Sequence, residues 1–290
     1  DPSAATYLCN PIAWNHNNSF ILKLDINGNF LWARKFETSN TQFLTSNITS
    51  ANFLANGNIC FVGDFNGSID FDPGPGVQIL STINNIAKPF MLTLNAAGNF
   101  VNVRSNNVGT TTNTHTTVNA YKTNSLGESY ILYRVSDTLD VDFGTNAVLY
   151  TSPTPYALAK YNANMQLIWS KGLHQNTQLV NMDTSNGTDL FVFGEFIGSV
   201  TLSNNATASS IGGDDIFYEK WDSSGNCIWA KTMGSTFNDY IASAKEYAGQ
   251  LYLLNSYRGS LYTNTGSNDT TIISTSGTDI ALCKLDLSGN

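Results

Sequence analysis

The stretch FILKLDINGNFLW, from Phe20 to Trp32, decides the fold class of this 290-residue chain because close copies of it recur downstream. The copies read FMLTLNAAGNFVN from Phe90, LAKYNANMQLIW from Leu158, FYEKWDSSGNCIW from Phe217 and ALCKLDLSGN from Ala281. Their equivalent residues Lys23, Thr93, Lys160, Lys220 and Lys284 lie 70, 67, 60 and 64 residues apart. A strand-rich repeat of about 40 to 50 residues or more predicts an all-β protein made of β-propeller blades.

Each copy predicts two strands joined by a tight turn. In the first copy an alternating apolar run meets Asn27-Gly28-Asn29, and a second run begins at Phe30. Asn-Gly is expected to supply the positive φ angles that a hairpin turn needs. The equivalent turns contain Gly98, Gly225 and Gly289. The third copy has Ala163-Asn164-Met165 instead, and there we expect Asn164 to take the positive φ angle.

A second shared stretch follows each hairpin, beginning at Gly57, Gly127, Thr188 and Gly249. It predicts one strand, a bend and a short strand. Less hydrophobic segments precede it at residues 46–52, 116–122, 179–184 and 240–246. Each repeat is therefore predicted to have four core strands and a variable hairpin, with the small, polar segment as the innermost strand beside the central channel.

Both ends of the chain fall inside repeats. Asp1-Pro2 and the residues after it resemble Asp72-Pro73 and its followers, whereas the chain stops at the turn Ser288-Gly289-Asn290. We expect residues 1–290 to be one propeller region of a longer protein, with at least five blades touched.

The composition bounds the function classes. Hydrophobic residues make up 41% of the chain and charged residues only 12%, well below the usual quarter. This balance favours a secreted or cell-surface protein. The net charge of -8 leaves no basic stripe for nucleic acid, and no apolar run approaches the 18 residues that a membrane span needs.

The pattern K-L-D-x-x-G-N-x-x-W, followed by G-S-x-D-F-D at Gly67 to Asp72, resembles the bacterial β-propeller repeats called SBBP repeats. The resemblance covers essentially the whole chain. Copies that end in D-F-D-P-G, as at Asp70 to Gly74, look like those of large secreted and surface proteins of Bacteroidetes, many exported by the type IX secretion system. The resemblance implies outer-membrane secretion components, other surface proteins or glycans as partners.

The recurring residues Trp32, Trp169 and Trp229 have two interpretations. They could stack on sugar rings, but their place within a strand favours packing between blades. The second copy has Asn102 at this position, which indicates drift between structural repeats.

Oxygen-bearing side chains at alternate positions, namely Asp64, Asn66, Ser68, Asp70 and Asp72, slightly resemble a calcium loop. The other repeats do not keep the set, since Asp64 is matched by Arg134, Glu195 and Ser256. Alternation along a strand would put all five on one face, so we expect an exposed polar edge and keep calcium only as a weak candidate.

The histidines and cysteines form no metal-ligand or catalytic spacing. His16, His115 and His174 are scattered over different units and are expected at the surface or in turns. Cys9, Cys60, Cys227 and Cys283 are even in number, and buried free thiols are favoured over disulfides for them. No catalytic residue or cofactor is predicted.

The sequence therefore predicts a non-catalytic propeller module that acts as a rigid binding or display scaffold, with its binding surface in the variable loops. The alternative is an enzyme, either a glycosidase or polysaccharide lyase or a quinone-dependent propeller enzyme. Acidic pairs for glycoside hydrolysis meet in space rather than along the chain, so the sequence leaves that class open.

Overall fold

The structure, a computed structural model, describes residues 19–38, 46–83, 86–106, 116–136, 138–144, 147–151, 154–184, 187–264 and 271–290. Within these ranges the chain is all-β, and its assigned strand pairs are antiparallel. None of the described residues forms a helix of the length and apolar character that crossing a membrane requires.

Four-stranded order recurs along the chain. A leading pair, β1 (Phe20–Leu24) and β2 (Phe30–Lys35), precedes the short strand β3 (Glu37–Thr38). Repeat I follows in the order β4-β5-β8-β9: β4 (Ser46–Phe53), β5 (Ile59–Phe65), β8 (Lys88–Leu94) and β9 (Phe100–Ser105). Its inserted hairpin consists of β6 (Ser68–Asp70) and β7 (Ile79–Ser81), and β3 pairs with β6.

Repeat II has the order β10-β11-β14-β15: β10 (Thr117–Thr123), β11 (Ser129–Arg134), β14 (Tyr156–Tyr161) and β15 (Leu167–Gly172). Its hairpin is β12 (Thr138–Asp140) and β13 (Leu149–Thr151). Repeat III has the order β16-β17-β20-β21: β16 (Thr177–Thr184), β17 (Leu190–Phe196), β20 (Asp215–Trp221) and β21 (Cys227–Gly234). Its hairpin is β18 (Ser199–Thr201) and β19 (Thr207–Ser209).

Repeat IV differs because its hairpin is continuous with its core strands. Beside β22 (Tyr240–Tyr247), the long strands β23 (Gln250–Asn264) and β24 (Thr271–Asp286) pair from Gln250↔Asp286 to Tyr262↔Thr271. The far end of β23 also pairs with β21.

The prediction of four core strands and a variable hairpin is confirmed in repeats I to III. The polar segments become the first strands β4, β10, β16 and β22, which begin within two residues of their predicted starts. The leading pair supplies the third and fourth strands of the same pattern. Closure into a propeller, and a channel beside the first strands, stay predictions.

The turn between the third and fourth strands corrects one expectation. The residue with positive φ is the last of the three loop residues. It is Gly28, at φ 83°, in the first copy, and Met165, at φ 61°, rather than Asn164 in repeat II. The strand register shifts beside this turn, between Lys23 and Leu24. Such a bulge follows a three-residue loop, in which only the last residue needs positive φ.

An acidic or amide residue fixes each of these turns. The Oδ1 atom of Asp25 accepts the N–H groups of Asn27 and Asn29, both at 2.8 Å. The same pair of bonds recurs at the equivalent residues Asn95, Asn162, Asp222 and Asp286. An Asx side chain that mimics the backbone explains why Asp or Asn begins every copy of the turn.

The chain divides into two compact units, residues 1–121 with 133–151 and residues 122–132 with 152–290. In the first unit the core is aromatic: the Phe71 ring lies between Phe65 and Phe90, with centroid distances of 5.3 and 4.7 Å. In the second unit Phe191, Phe193, Ile216 and Leu253 form part of one buried cluster. Burial on both faces explains the near-continuous apolar runs of β5 and β17.

Candidate functional site

The three repeated tryptophans make one contact three times. Each indole Nε1 donates to a backbone carbonyl in the hairpin turn of the next repeat: Trp32 to Ala96 at 3.2 Å, Trp169 to Ser223 at 3.1 Å and Trp229 to Leu287 at 3.0 Å. A third-strand lysine donates to the same carbonyl: Lys23 at 2.7 Å, Lys160 at 3.0 Å and Lys220 at 3.4 Å. We call this arrangement the turn contact. Because indole has one N–H group, the contact leaves it no donor for a ligand.

The turn glycines lie directly against these rings. A Cβ atom at Gly98 would come within 2.9 Å of Trp32, one at Gly225 within 2.9 Å of Trp169, and one at Gly289 within 3.1 Å of Trp229. Gly28 shares the positive φ angle, yet a Cβ there would meet nothing within 4 Å. Glycine therefore meets a backbone need in all four turns and a packing need in three of them.

The two departures from the repeat pattern are consecutive. The turn that has Met165 in place of glycine belongs to the repeat that follows the fourth strand with Asn102 in place of tryptophan. Where no tryptophan covers the turn, the packing reason to exclude a side chain is absent, and only the left-handed backbone, which Met165 adopts at φ 61°, still favours glycine.

Two of the calcium candidates shape a hairpin. Asp70 Oδ1 accepts the N–H groups of Asp72 at 3.0 Å and Gln78 at 2.8 Å, and Asp72 Oδ1 accepts that of Gly74 at 2.8 Å. Asp140 and Asp142 of repeat II make the same bonds to Asp142, Val148 and Gly144. The D-F-D-P-G motif thus caps the turn between β6 and β7, while its Phe71 anchors that turn in the core.

The remaining calcium candidates are Ser68, Asn66 and Asp64. Ser68 Oγ bonds Ser81 Oγ at 2.8 Å, and Asn66 is half-buried. Asp64 is only 9% exposed, so the expected exposed polar edge is wrong at this residue. Strand β5 is buried on both faces, and that burial raises the pKa of the Asp64 carboxyl to about 6, although bonds from Asn47 and the Val118 backbone lower it.

Asp64 has a counterpart in repeat III. Glu195 Oε1 accepts the N–H of Ile241, the second residue of the next first strand, at 3.2 Å, and burial raises the pKa of Glu195 as well. Across the described ranges no three His, Cys, Asp or Glu residues come together to hold a metal ion.

The strongest candidate site is an open pocket of about 710 Å³ in the second unit. At its wall, His174 Nε2 lies 2.9 Å from Glu219 Oε1 and 3.3 Å from Ser203 Oγ. Glu219 also accepts the N–H of Ser203 at 2.9 Å and the Trp221 Nε1–H at 2.9 Å. Glu219 is fully buried and His174 is 5% exposed, with the Phe217 ring packed edge-on against the imidazole at 5.1 Å. We call these four residues, His174, Ser203, Glu219 and Trp221, the polar cluster.

Comparison between repeats singles out this cluster. Glu219 occupies a third-strand position that is apolar elsewhere: Leu22, Leu92, Ala159 and Cys283. Trp221 is larger than most of its counterparts, which are Leu24, Leu94, Tyr161 and Leu285. Its register partner Cys227 is smaller than Phe30, Phe100 and Leu167. Repeat III has therefore exchanged an apolar core layer for a hydrogen-bonded polar one at the wall of the pocket.

The geometry of the polar cluster is not that of a nucleophile. A catalytic histidine accepts the serine proton at one ring nitrogen while a carboxylate holds the other nitrogen. Here Ser203 and Glu219 both contact Nε2, so the imidazole has no free lone pair directed at Ser203 Oγ. Near the cluster, burial and Glu219 raise the pKa of the Cys227 thiol to about 12, so it is not a thiolate nucleophile at neutral pH.

A second pocket of about 360 Å³ is lined by Asp215, Thr232 and Tyr262 among others. Asp215 is 2% exposed, and its Oδ2 accepts the N–H of Ile211 at 2.8 Å. Its Oδ1 has no hydrogen-bond partner within the described part of the chain. Burial, with Asp239 and Asp214 nearby, raises the pKa of Asp215 to about 6.

The predictions for the histidines and cysteines have different outcomes. His174 was expected at the surface or in a turn, and this is wrong because it is buried against Glu219. The signal that could have found the site was the single acidic residue at an apolar repeat position. Cys60, Cys227 and Cys283 are free thiols, and burial raises the pKa of Cys60 to about 11. Cys9, His16 and His115 lie outside the described residues.

No protein-family model matches the chain, and no curated protein matches it either. One solved structure, the crystal structure of a protein of unknown function from Bacteroides caccae, aligns with 78% of this chain and 75% of its own. The two share 10% sequence identity at a TM-score of 0.33.

Proposed function

We propose that the chain is a non-catalytic β-propeller module of a secreted or cell-surface bacterial protein, acting as a rigid binding scaffold. The observation that carries the proposal is the turn contact, which repeats with the same donors and acceptors between successive repeats. A contact of this kind fixes the leading pair on repeat I, repeat II on repeat III and repeat III on repeat IV, and it uses residues that serve packing rather than chemistry.

Contacts between first strands support the propeller. Thr49 Oγ1 of β4 donates to Val118 O of β10 at 3.0 Å. In the second unit, Asp183 of β16 accepts the N–H of Glu246 in β22 at 3.0 Å and forms an ion pair with Lys245 at 3.1 Å. Neighbouring first strands are expected to lie side by side where blades surround a common axis.

The shape of the protein tests this part of the proposal. Electron microscopy of the purified chain should show blades side by side on a common arc, as part of a disc, because residues 1–290 are expected to be one region of a longer protein. An elongated, open stack of sheets would contradict the propeller and leave a linear repeat scaffold.

We further propose that the protein is cargo of the type IX secretion system and resembles SBBP-repeat proteins of Bacteroidetes. The neutral polar surface and the repeat motifs support this assignment. In the native organism the full-length protein should be protease-accessible on intact cells. Disabling outer-membrane type IX secretion should retain it inside the cells, and unchanged surface exposure would refute the cargo assignment.

A glycosidase is the second candidate, and Asp215 is the observation in its favour. A carboxyl with a pKa near 6 at the wall of a pocket suits a general acid. Release of reducing sugar from a polysaccharide that disappears in Asp215→Asn would establish the enzyme. Unchanged polysaccharide after long incubation with the native protein supports the scaffold.

A further inference from the structure

We propose that the pocket beside the polar cluster binds a neutral oligosaccharide, with His174 Nδ1 as a hydrogen-bonding group for a sugar hydroxyl. The proposal rests on the scaffold function and gives that scaffold a ligand class.

The first observation is the state of His174. Its Nε2 atom is engaged by Glu219 and Ser203, whereas Nδ1 bonds to no residue within the described ranges. The imidazole is 5% exposed and belongs to the pocket wall. His174 lines the pocket, and a ring nitrogen that no group of the described ranges engages is available there to hydrogen-bond with a ligand.

Glu219 accounts for the orientation of that ring. The carboxylate accepts from His174, the Ser203 backbone and the Trp221 indole, so its charge is compensated without water or a metal. A carboxylate that holds one imidazole nitrogen fixes the ring plane and leaves the other nitrogen for a ligand, as outer partners do for binding histidines. The repeat comparison shows that this carboxylate replaces an apolar core residue, which is costly unless it positions something.

The rest of the wall selects the ligand class. Its exposed side chains are amides and hydroxyls, including Gln175, Thr201, Asn204 and Asn205. The apolar wall residues Leu173, Leu202 and Trp221 are 3 to 4% exposed and offer little apolar surface. Drug-like ligands are held mainly by apolar walls, so this pocket suits a ligand that is itself covered with hydroxyl groups.

Charge excludes an anionic ligand. His174 is paired with Glu219, and the other cationic wall residue, Lys171, lies near the Asp222 carboxylate, which it helps to keep ionised. The pocket therefore presents no uncompensated positive charge for a uronic acid or a phosphate. The volume of about 710 Å³ is within the range of small-ligand sites, about 300 to 1,000 Å³.

The test is a titration of the isotope-labelled chain with neutral hexasaccharides of β-1,4-glucose, β-1,3-glucose, β-1,4-xylose and α-1,6-mannose, followed by NMR. Hexagalacturonate is the charged comparison. At least one neutral sugar should shift the His174 imidazole and the Gln175 side-chain amide signals. No shift with any of the four at millimolar concentration, or shifts caused only by hexagalacturonate, would overturn the inference.

Matched variants locate the binding. Gln175→Ala should weaken the sugar at least about five-fold, because it removes a hydrogen-bonding group of the pocket wall. Gln78→Ala, an exposed glutamine of the repeat I hairpin, should leave affinity unchanged. His174→Asn should abolish binding while its far-ultraviolet spectrum stays native, and equal affinity of all three variants and the native chain would place the sugar elsewhere and overturn the proposal.

The same samples separate this inference from the scaffold function. A particle that has its blades on a common arc but binds no neutral sugar would leave the scaffold standing and remove only the ligand class. A neutral sugar that binds at His174 and is cleaved would uphold the ligand class and overturn the non-catalytic function.

Discussion

Repeats I and III have the same strand order and the same turn, yet their cores differ at one layer. Repeat I has Leu92 there, fully buried among aromatic rings. Repeat III has Glu219, equally buried, with hydrogen bonds from three neighbouring residues. Residues shared by all repeats build the fold, whereas Glu219 is a buried departure whose hydrogen bonds are specific to repeat III.

We expect the largest loss of stability when Glu219 is removed. Glu219→Ala should lower the free energy of unfolding by about 3 to 5 kcal/mol, because His174, the Ser203 N–H and the Trp221 N–H all lose their acceptor. Urea denaturation measures it. Glu219→Gln keeps the Oε1 acceptor and should cost clearly less, and a loss below about 1 kcal/mol in the alanine variant would show that the layer is not a built site.

The turn contact gives a matched pair of glycines. Gly28→Ala should cost about 1 to 2 kcal/mol, the price of a left-handed alanine alone. Gly98→Ala should cost about 1 to 3 kcal/mol more, because its Cβ would overlap the Trp32 ring. Equal losses of unfolding free energy for the two variants would refute the steric role of the ring.

The buried acids predict a pH dependence of stability. The folded-state pKa values of Asp64 and Asp215 are raised to about 6 from 3.8, so the folded protein holds these protons more tightly than the unfolded chain. Their contribution to stability is greatest below pH 3.8 and falls as the pH rises to about 6. Asp64→Asn or Asp215→Asn should therefore stabilise the protein above pH 6 by about 1 to 3 kcal/mol and have little effect near pH 3.8.

Thermal melts across this pH range measure that difference. Asp222→Asn is the control, because hydrogen bonds from Asn226 and Ser224 lower the pKa of Asp222. Its ionised carboxylate therefore contributes stability above pH 3.8 rather than below it. A gain in stability at low pH for either buried-acid variant would contradict the assignment.

The smallest expected effect is none. The repeat I hairpin has Asp70 and Asp72, which repeat III lacks, but both carboxylates already accept backbone N–H groups. Removal of divalent cations with a chelator should leave the melting temperature unchanged. A clear fall, restored by calcium and absent in Asp72→Asn, would return these residues to a metal site.

The sequence could predict the repeats, the strand order within them and the turns, because each depends on residues close together in the chain. Met165 shows the limit even for a turn: the position of the bulge, not the turn propensity of Asn164, decided which residue is left-handed. The polar cluster could not be predicted, because His174 and Glu219 are 45 residues apart and meet only through the packing of β20 on the segment after β15. The sequence shows Glu219 as an acid at an apolar repeat position, but its role can be understood only from its contact with His174.

The turn contact always points the same way along the chain, from the fourth strand of one repeat to the hairpin turn of the next. The tryptophan of a repeat therefore cannot make this contact until the residues about 60 positions ahead of it have formed their turn. During synthesis or export from the N-terminus, each of these tryptophans would reach its final contact only after the following repeat has emerged and formed its turn. The direction of the indole hydrogen bond therefore predicts the order in which neighbouring repeats complete their packing.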